Sequence, residues 1–133
     1  MKKSIALKVE NLSLKKSNQS ILTEVSFNLP TSCLASIIGP TGAGKTSIIR
    51  SIMNFENNNN NDIKINNKLA TEMNLREIAK QVAYVHQNSL LPAGLKVYDY
   101  VLFARSPYLG FFGNHTQRDH QIVKESLMLV DCL

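Results

Sequence analysis

Eight consecutive residues restrict this chain more than any others: Gly39-Pro40-Thr41-Gly42-Ala43-Gly44-Lys45-Thr46. They fit the phosphate-cradling pattern G-x-x-x-x-G-K-[ST], which carries weight only between a strand and a helix. Leu34-Ala35-Ser36-Ile37-Ile38 precedes them and reads as a buried strand. Ser47-Ile48-Ile49-Arg50-Ser51-Ile52-Met53 follows and reads as an amphipathic helix. Gly42 and Gly44 permit a tight turn whose successive N–H groups converge on an anion. A helix beginning near Lys45 adds unpaired N–H groups and the positive end of its dipole. Lys45 supplies a flexible point charge for the β- and γ-phosphates, and the Thr46 hydroxyl suits a Mg²⁺ ion bound to them. The competing reading is a glycine-rich turn with a surface lysine, and the flanking strand and helix argue against it. The motif predicts binding of a nucleoside triphosphate with Mg²⁺.

Composition sets outer limits. The chain has 133 residues, enough for one domain with a core. A hydrophobic content of 44% against 19% charged excludes a disordered chain. The net charge of +5 permits contact with nucleic acid or anionic lipid. The basic residues are scattered apart from Lys2-Lys3 and Lys15-Lys16, which favours a solvated surface, and no nucleic-acid partner is expected. Cys33 and Cys132 show no metal-ligand spacing, and Cys33 reads as a small buried hydrophobe. Lys2-Lys3 before Ile5-Ala6-Leu7 resembles the start of a targeting segment, but Lys8 and Glu10 interrupt it too early. No window has the length needed to span a membrane.

Leu7, Val9, Leu12 and Leu14 show short strand-like alternation. A polar turn at residues 17–20 leads to a second run, residues 21–29, with Val25, Phe27 and Leu29 alternating before Pro30 closes it. Residues 57–61, an asparagine run, read as a surface loop. Ile63-Lys64-Ile65 alternates and ends in the turn signal Asn66-Asn67. Asn74 and Glu77 form a capping-box pattern, with Leu75, Ile78 and Ala79 expected to face the core. Val82-Ala83-Tyr84-Val85-His86 reads as a strand delivering Gln87 at its carboxyl end, where ligand-facing groups of open α/β sheets sit.

Taken in order, these stretches resemble the ATP-binding subunit of an ABC transporter. The resemblance rests on Leu22-Thr23-Glu24-Val25-Ser26-Phe27, the 39–46 loop, Leu75-Arg76-Glu77-Ile78-Ala79 and Tyr84-Val85-His86-Gln87. A later stretch, Val101-Leu102-Phe103-Ala104-Arg105-Ser106-Pro107-Tyr108-Leu109-Gly110, is similar to importers of iron chelates, haem and cobalamin. The resemblance implies an α/β P-loop fold with an antiparallel β section and P-loop core over residues 1–94, and the start of a helical subdomain over 95–133. It implies ATP held by Gly39, Pro40, Thr41, Gly42, Ala43, Gly44, Lys45, Thr46 and Ser47, and Mg²⁺ completed by Thr46 and Gln87. It also implies membrane-spanning permease subunits reached through the Gln87 region, a second nucleotide-binding subunit, and a place on the cytoplasmic face of the membrane.

Three departures qualify that expectation. Lys16 stands where the family stacks adenine on an aromatic ring, so a cation facing a π system replaces stacking area. Thr31-Ser32 stands where a Gly-acidic turn is common. Finally, none of the six glycines is adjacent to another, so the family's signature segment is absent. Leu127-Met128-Leu129-Val130-Asp131 imitates a Walker B strand, but Cys132 occupies the place of the catalytic glutamate. A capping box at Thr116-Gln117-Arg118-Asp119, with Ile122, Val123, Leu127 and Val130 near helical spacing, favours a helix there instead. His86, His115 and His120 read as surface or packing residues. No catalytic residue is assigned to this chain. Two other readings stand beside the importer subunit: a truncated nucleotide-binding remnant, and an ABC-type ATPase acting on DNA. Against the second, Leu90-Leu91-Pro92 and Pro107-Tyr108-Leu109-Gly110 follow Gln87 rather than a coiled-coil exit. In the family, strands from further along the chain separate the runs 34–38 and 82–86. Each run is therefore expected to present an unpaired apolar edge.

Overall fold

The computed structural model describes residues 4–56, 62–87, 92–110 and 113–132. The expectations for Lys2-Lys3, for the asparagine run 57–61 and for Leu90-Leu91 lie outside the described residues. The chain forms two compact units, Met1–Val82 and Ala83–Leu133.

The first unit is built on a long hairpin. Strands β1 (Ile5–Lys16) and β2 (Gln19–Pro30) pair antiparallel. Ser17 and Asn18 join them with φ of 45° and 65°, the left-handed pair that matches the twist of a two-residue hairpin. Strand alternation alone would put Val9 and Leu12 on opposite faces, because they lie three positions apart, an odd step. A register shift between them, with Asn11 at φ 52°, returns Leu12 to the buried face. Two serines satisfy backbone groups freed by the irregularity. The Asn11 N–H donates to Ser26 Oγ at 2.8 Å, and the Glu24 N–H donates to Ser13 Oγ at 2.9 Å.

Strands β3 (Asp62–Ile65) and β4 (Lys68–Leu69) extend the sheet in the order β2-β1-β3-β4, antiparallel throughout. Asn66 and Asn67, at φ 49° and 67°, make the second tight turn. The inner face of this sheet, helix α1 (Lys45–Ile52) and helix α2 (Leu75–Ala79) close over one core of Val9, Leu12, Leu14, Leu22, Ile48, Ile63, Ile65, Met73 and Ile78. In α2 the capping box forms as expected, Asn74 accepting the Glu77 N–H at 2.9 Å and Glu77 accepting the Asn74 N–H at 2.9 Å. Only Ile78 of its three candidate core residues is buried; Leu75 and Ala79 are exposed, because a helix of 5 residues offers the sheet a single turn of contact.

The second unit pairs α3 (Val97–Phe103) with α4 (Gln117–Met128), burying Val123 and Leu127. Thr116 and Asp119 cap α4 reciprocally, and Arg105 Nε donates to Asp119 at 2.9 Å. Residues 127–128 are therefore helical, and Asp131 is exposed just beyond, at φ 52°. The Walker B imitation is the end of a helix.

Two expected strands do not form. Residues 34–38 and 82–86 lie in no ladder among the described residues. Leu34 and Ile38 are 98% and 93% exposed, and Val85 is 86% exposed. Sequence makes such runs apolar, but a strand needs a neighbour to bond to, and none lies beside them among the described residues. Cys33, read as buried, is exposed for the same reason.

Candidate nucleotide site

The phosphate motif sits between β2 and α1. Gly42 and Gly44 adopt φ of 86° and 84°, the left-handed conformation for which glycine carries no Cβ penalty. At Gly44 a second constraint applies. A Cβ built there would lie 2.7 Å from Leu22 Cδ2 and 3.1 Å from the Ile21 carbonyl, so the loop packs directly on β2. Helix α1 then begins at Lys45, with Gly44 as its N-cap.

The N-terminus of α1 is unlike those of α2 and α4. There, asparagine with glutamate and threonine with aspartate occupy the first-turn N–H groups. Gly44 offers no side chain, and the first turn of α1 contains no acidic residue. The first intrahelical bond is the Ile48 N–H to Gly44 O at 3.0 Å, so the N–H groups of Lys45, Thr46 and Ser47 have no backbone acceptor among the described residues. The cluster has no protein acceptor among the described residues. Such a cradle fits an anionic oxygen.

Lys45 Nζ folds across the loop, donating to Gly39 O at 2.8 Å and Pro40 O at 2.7 Å. The ammonium thus lies over the same carbonyl-lined turn that the motif bends, held by two acceptors that a phosphate oxygen could replace. Thr46 is exposed, and its hydroxyl makes no hydrogen bond among the described residues. These residues fit a triphosphate with Mg²⁺. Gln87 belongs to the second unit, exposed at a bend, and its amide is unbonded among the described residues.

Lys16, at the end of β1, is held in an ion pair. Its Nζ donates to Glu56 Oε1 at 2.9 Å, and Arg50 Nε in the last turn of α1 donates to the same oxygen at 2.8 Å. The Lys16 hydrogen bond, reinforced by the Arg50 charge, holds the Glu56 carboxyl below its ordinary range. Sequence reading missed Glu56 and Arg50 because three charges separated by 34 and 6 residues form no motif. It also missed Leu22 and Ile21, the wall behind Gly44.

The family profile described as ABC transporter matches residues 22–131, most of the chain. The chain belongs to the ABC transporter family. It is 30% identical over 125 residues to an ABC transporter ATP-binding protein of Methanocaldococcus jannaschii, covering 94% of this chain and 43% of that protein. It is 27% identical over 122 residues to the iron(3+)-hydroxamate import ATP-binding protein of Bacillus subtilis, covering 92% of this chain and 45% of the relative. Its fold is similar to that of a solved metal-chelate type ABC transporter in an inward-facing conformation, with a TM-score of 0.74 and 20% identity over 97% of this chain and 46% of that one. The chain spans less than half the length of these ABC proteins. No helix among the described residues is long and apolar enough to cross a membrane.

Proposed function

We propose that this chain binds Mg-ATP in the 39–47 loop, as the nucleotide-binding part of the energy-coupling subunit of an ABC importer for iron chelates or related haem or cobalamin cargo. The observation that carries this reading is the uncapped start of α1, with Lys45 laid across the loop beside it. Main-chain N–H groups of Gly42, Gly44, Lys45, Thr46 and Ser47 would receive phosphate oxygens. Lys45 would exchange its two carbonyl acceptors for phosphate oxygens, and the Thr46 hydroxyl is the candidate ligand of Mg²⁺ beside the loop. The ion would neutralise phosphate charge, and the residues of this chain would hold and orient the triphosphate. The cargo class is supported by the hydroxamate-import relative. Permease subunits and a second nucleotide-binding subunit are the proposed partners, at the cytoplasmic face of the membrane.

A narrower reading concerns turnover. The one Walker B-like run ends a helix, with Asp131 exposed beyond it and Cys132 following. This supports a reading in which residues 127–131 take no part in hydrolysis.

The deciding experiment is fluorescence titration of a labelled ATP analogue with Lys45→Ala. Among the described residues Lys45 bonds only the loop's own carbonyls, so the variant should fold. Loss of two charge-assisted bonds, at about 1.5 kcal/mol or more each, should weaken binding roughly 100-fold or beyond. Unchanged affinity would remove the 39–47 loop from the site.

A further inference from the structure

The Glu56 carboxylate has no part in the phosphate chemistry proposed for the loop, yet its position bears on that chemistry. Helix α1 has 8 residues, and helices shorter than about 12 residues are marginal by themselves in water. Its start also lacks the side-chain cap that α2 and α4 possess. Whatever holds its first-turn N–H groups in place must come from packing and from the far end of the helix.

That far end is closed in two steps. Asn54 takes φ 57°, and the N–H groups of Asn54 and Phe55 donate to Ser51 O and Arg50 O, each at 3.0 Å. This left-handed reversal satisfies the last helical carbonyls and turns the chain back toward Arg50. Glu56 Oε1 then accepts from Arg50 Nε at 2.8 Å and from Lys16 Nζ at 2.9 Å. The Glu56 side chain is only 10% exposed, whereas both cations are half-exposed. Lys16 ends β1, two residues after Leu14, whose ladder partner is Leu22. Leu22 and Ile21 form the wall behind Gly44 at the near end of α1. One hairpin thus grips the helix twice, by contact at Gly44 and by charge at Arg50.

On the nucleotide reading above, we propose that Glu56 is a positioning residue for the phosphate loop. By drawing Lys16 and Arg50 onto one oxygen, it clamps the end of α1 to the hairpin. The clamp holds the N–H groups of Lys45, Thr46 and Ser47 where a polyphosphate meets them. Without the Glu56 charge, Lys16 and Arg50 face each other as like charges and push the hairpin from the helix. The effect passes through α1 and needs no contact between Glu56 and phosphate.

The test measures the full chain and Glu56→Gln in two ways: titration of the labelled ATP analogue with Mg²⁺, and amide hydrogen exchange without nucleotide. Glu56→Gln keeps the size of the side chain and removes no core group, so the variant should fold. Its affinity should fall about fivefold, and exchange at residues 48–52 should quicken by about as much, with α2 unchanged. A Lys16→Glu, Glu56→Lys double variant again sets two cations on one carboxylate and should bind within about twofold of the parent. Glu10→Gln breaks the Lys8–Glu10 pair at 2.8 Å, changes the net charge equally and should leave binding unchanged. Four results would overturn the proposal: parent-like affinity in Glu56→Gln, weakened binding with unaltered exchange in α1, a charge swap that restores nothing, or an equal loss in Glu10→Gln. Binding lost in Lys45→Ala but kept in Glu56→Gln fails the clamp alone. The exchange measurement, made without ATP, reads the clamp whichever way the Lys45→Ala titration falls.

Discussion

Gly44→Ala is the sharpest probe of how the phosphate loop is built. Two costs add at this position. The backbone sits at φ 84°, where an L-residue is less favourable than glycine by about 1–2 kcal/mol. The new Cβ would also stand 2.7 Å from Leu22 Cδ2 and 3.1 Å from the Ile21 carbonyl. Leu22 is in the core and Ile21 presents main chain there, so neither can swing away freely. Overpacking of this kind costs about 1–3 kcal/mol, for a sum of roughly 2–5 kcal/mol. Gly42→Ala is the matched control, with φ 86° but nothing within 4 Å of the added Cβ. It should cost only the backbone share, about 1–2 kcal/mol. At about 4–8 °C per kcal/mol for a unit the size of Met1–Val82, Gly44→Ala should melt at least several degrees below Gly42→Ala. Thermal denaturation followed by circular dichroism reads the difference. Equal melting temperatures would refute direct packing of the loop on β2.

Three further outcomes are expected. Since Lys16 is already engaged by Glu56, affinities for Mg-ATP and Mg-GTP should agree within about threefold, close to what an absent base contact gives; a preference of tenfold or more that vanishes in Lys16→Ala would show that Lys16 reads the base. Asp119 is held well below the usual carboxylate range, first by the Thr116 hydroxyl, then by the Thr116 N–H, then by Arg105. A depressed folded-state pKa contributes stability that is complete above the ordinary aspartate value of about 4 and is lost as pH falls below it. Helix α4 should therefore loosen in acid. In Asp119→Asn this acid-dependent step should be missing from chemical-shift titration of residues 117–128, and an unaltered step would assign it to another group. Finally, the chain alone should release no phosphate above background; steady-state release abolished by Lys45→Ala would assign a catalytic carboxylate, with Asp131 the first to replace.

Local chemistry made much of this molecule legible in its sequence. Gly42, Gly44 and Lys45 imply the loop because left-handed backbone and a helix start are written in those residue types. Asn74 with Glu77, Thr116 with Asp119, and the Asn66-Asn67 turn likewise needed no distant partner to form. Interactions across the chain were not legible. The Lys16–Glu56–Arg50 cluster, the packing of Leu22 behind Gly44, and the bulge that turns Leu12 inward depend on residues brought together only by folding.

Residues 34–38 and 82–86 draw the line most clearly. Their apolar composition determined that they should seek burial as strands. Whether they become strands depends on a neighbouring backbone, since a strand has no internal hydrogen bonds and a helix has its own. Helix α1 could form beside the loop from its own residues, while the run leading into that loop is left with Leu34 and Ile38 in solvent. Residue types alone specify the left-handed turn at Gly42 and Gly44 and the helix start at Lys45; which apolar segments find partners is settled by folding, because pairing is a property of two backbones and not of one.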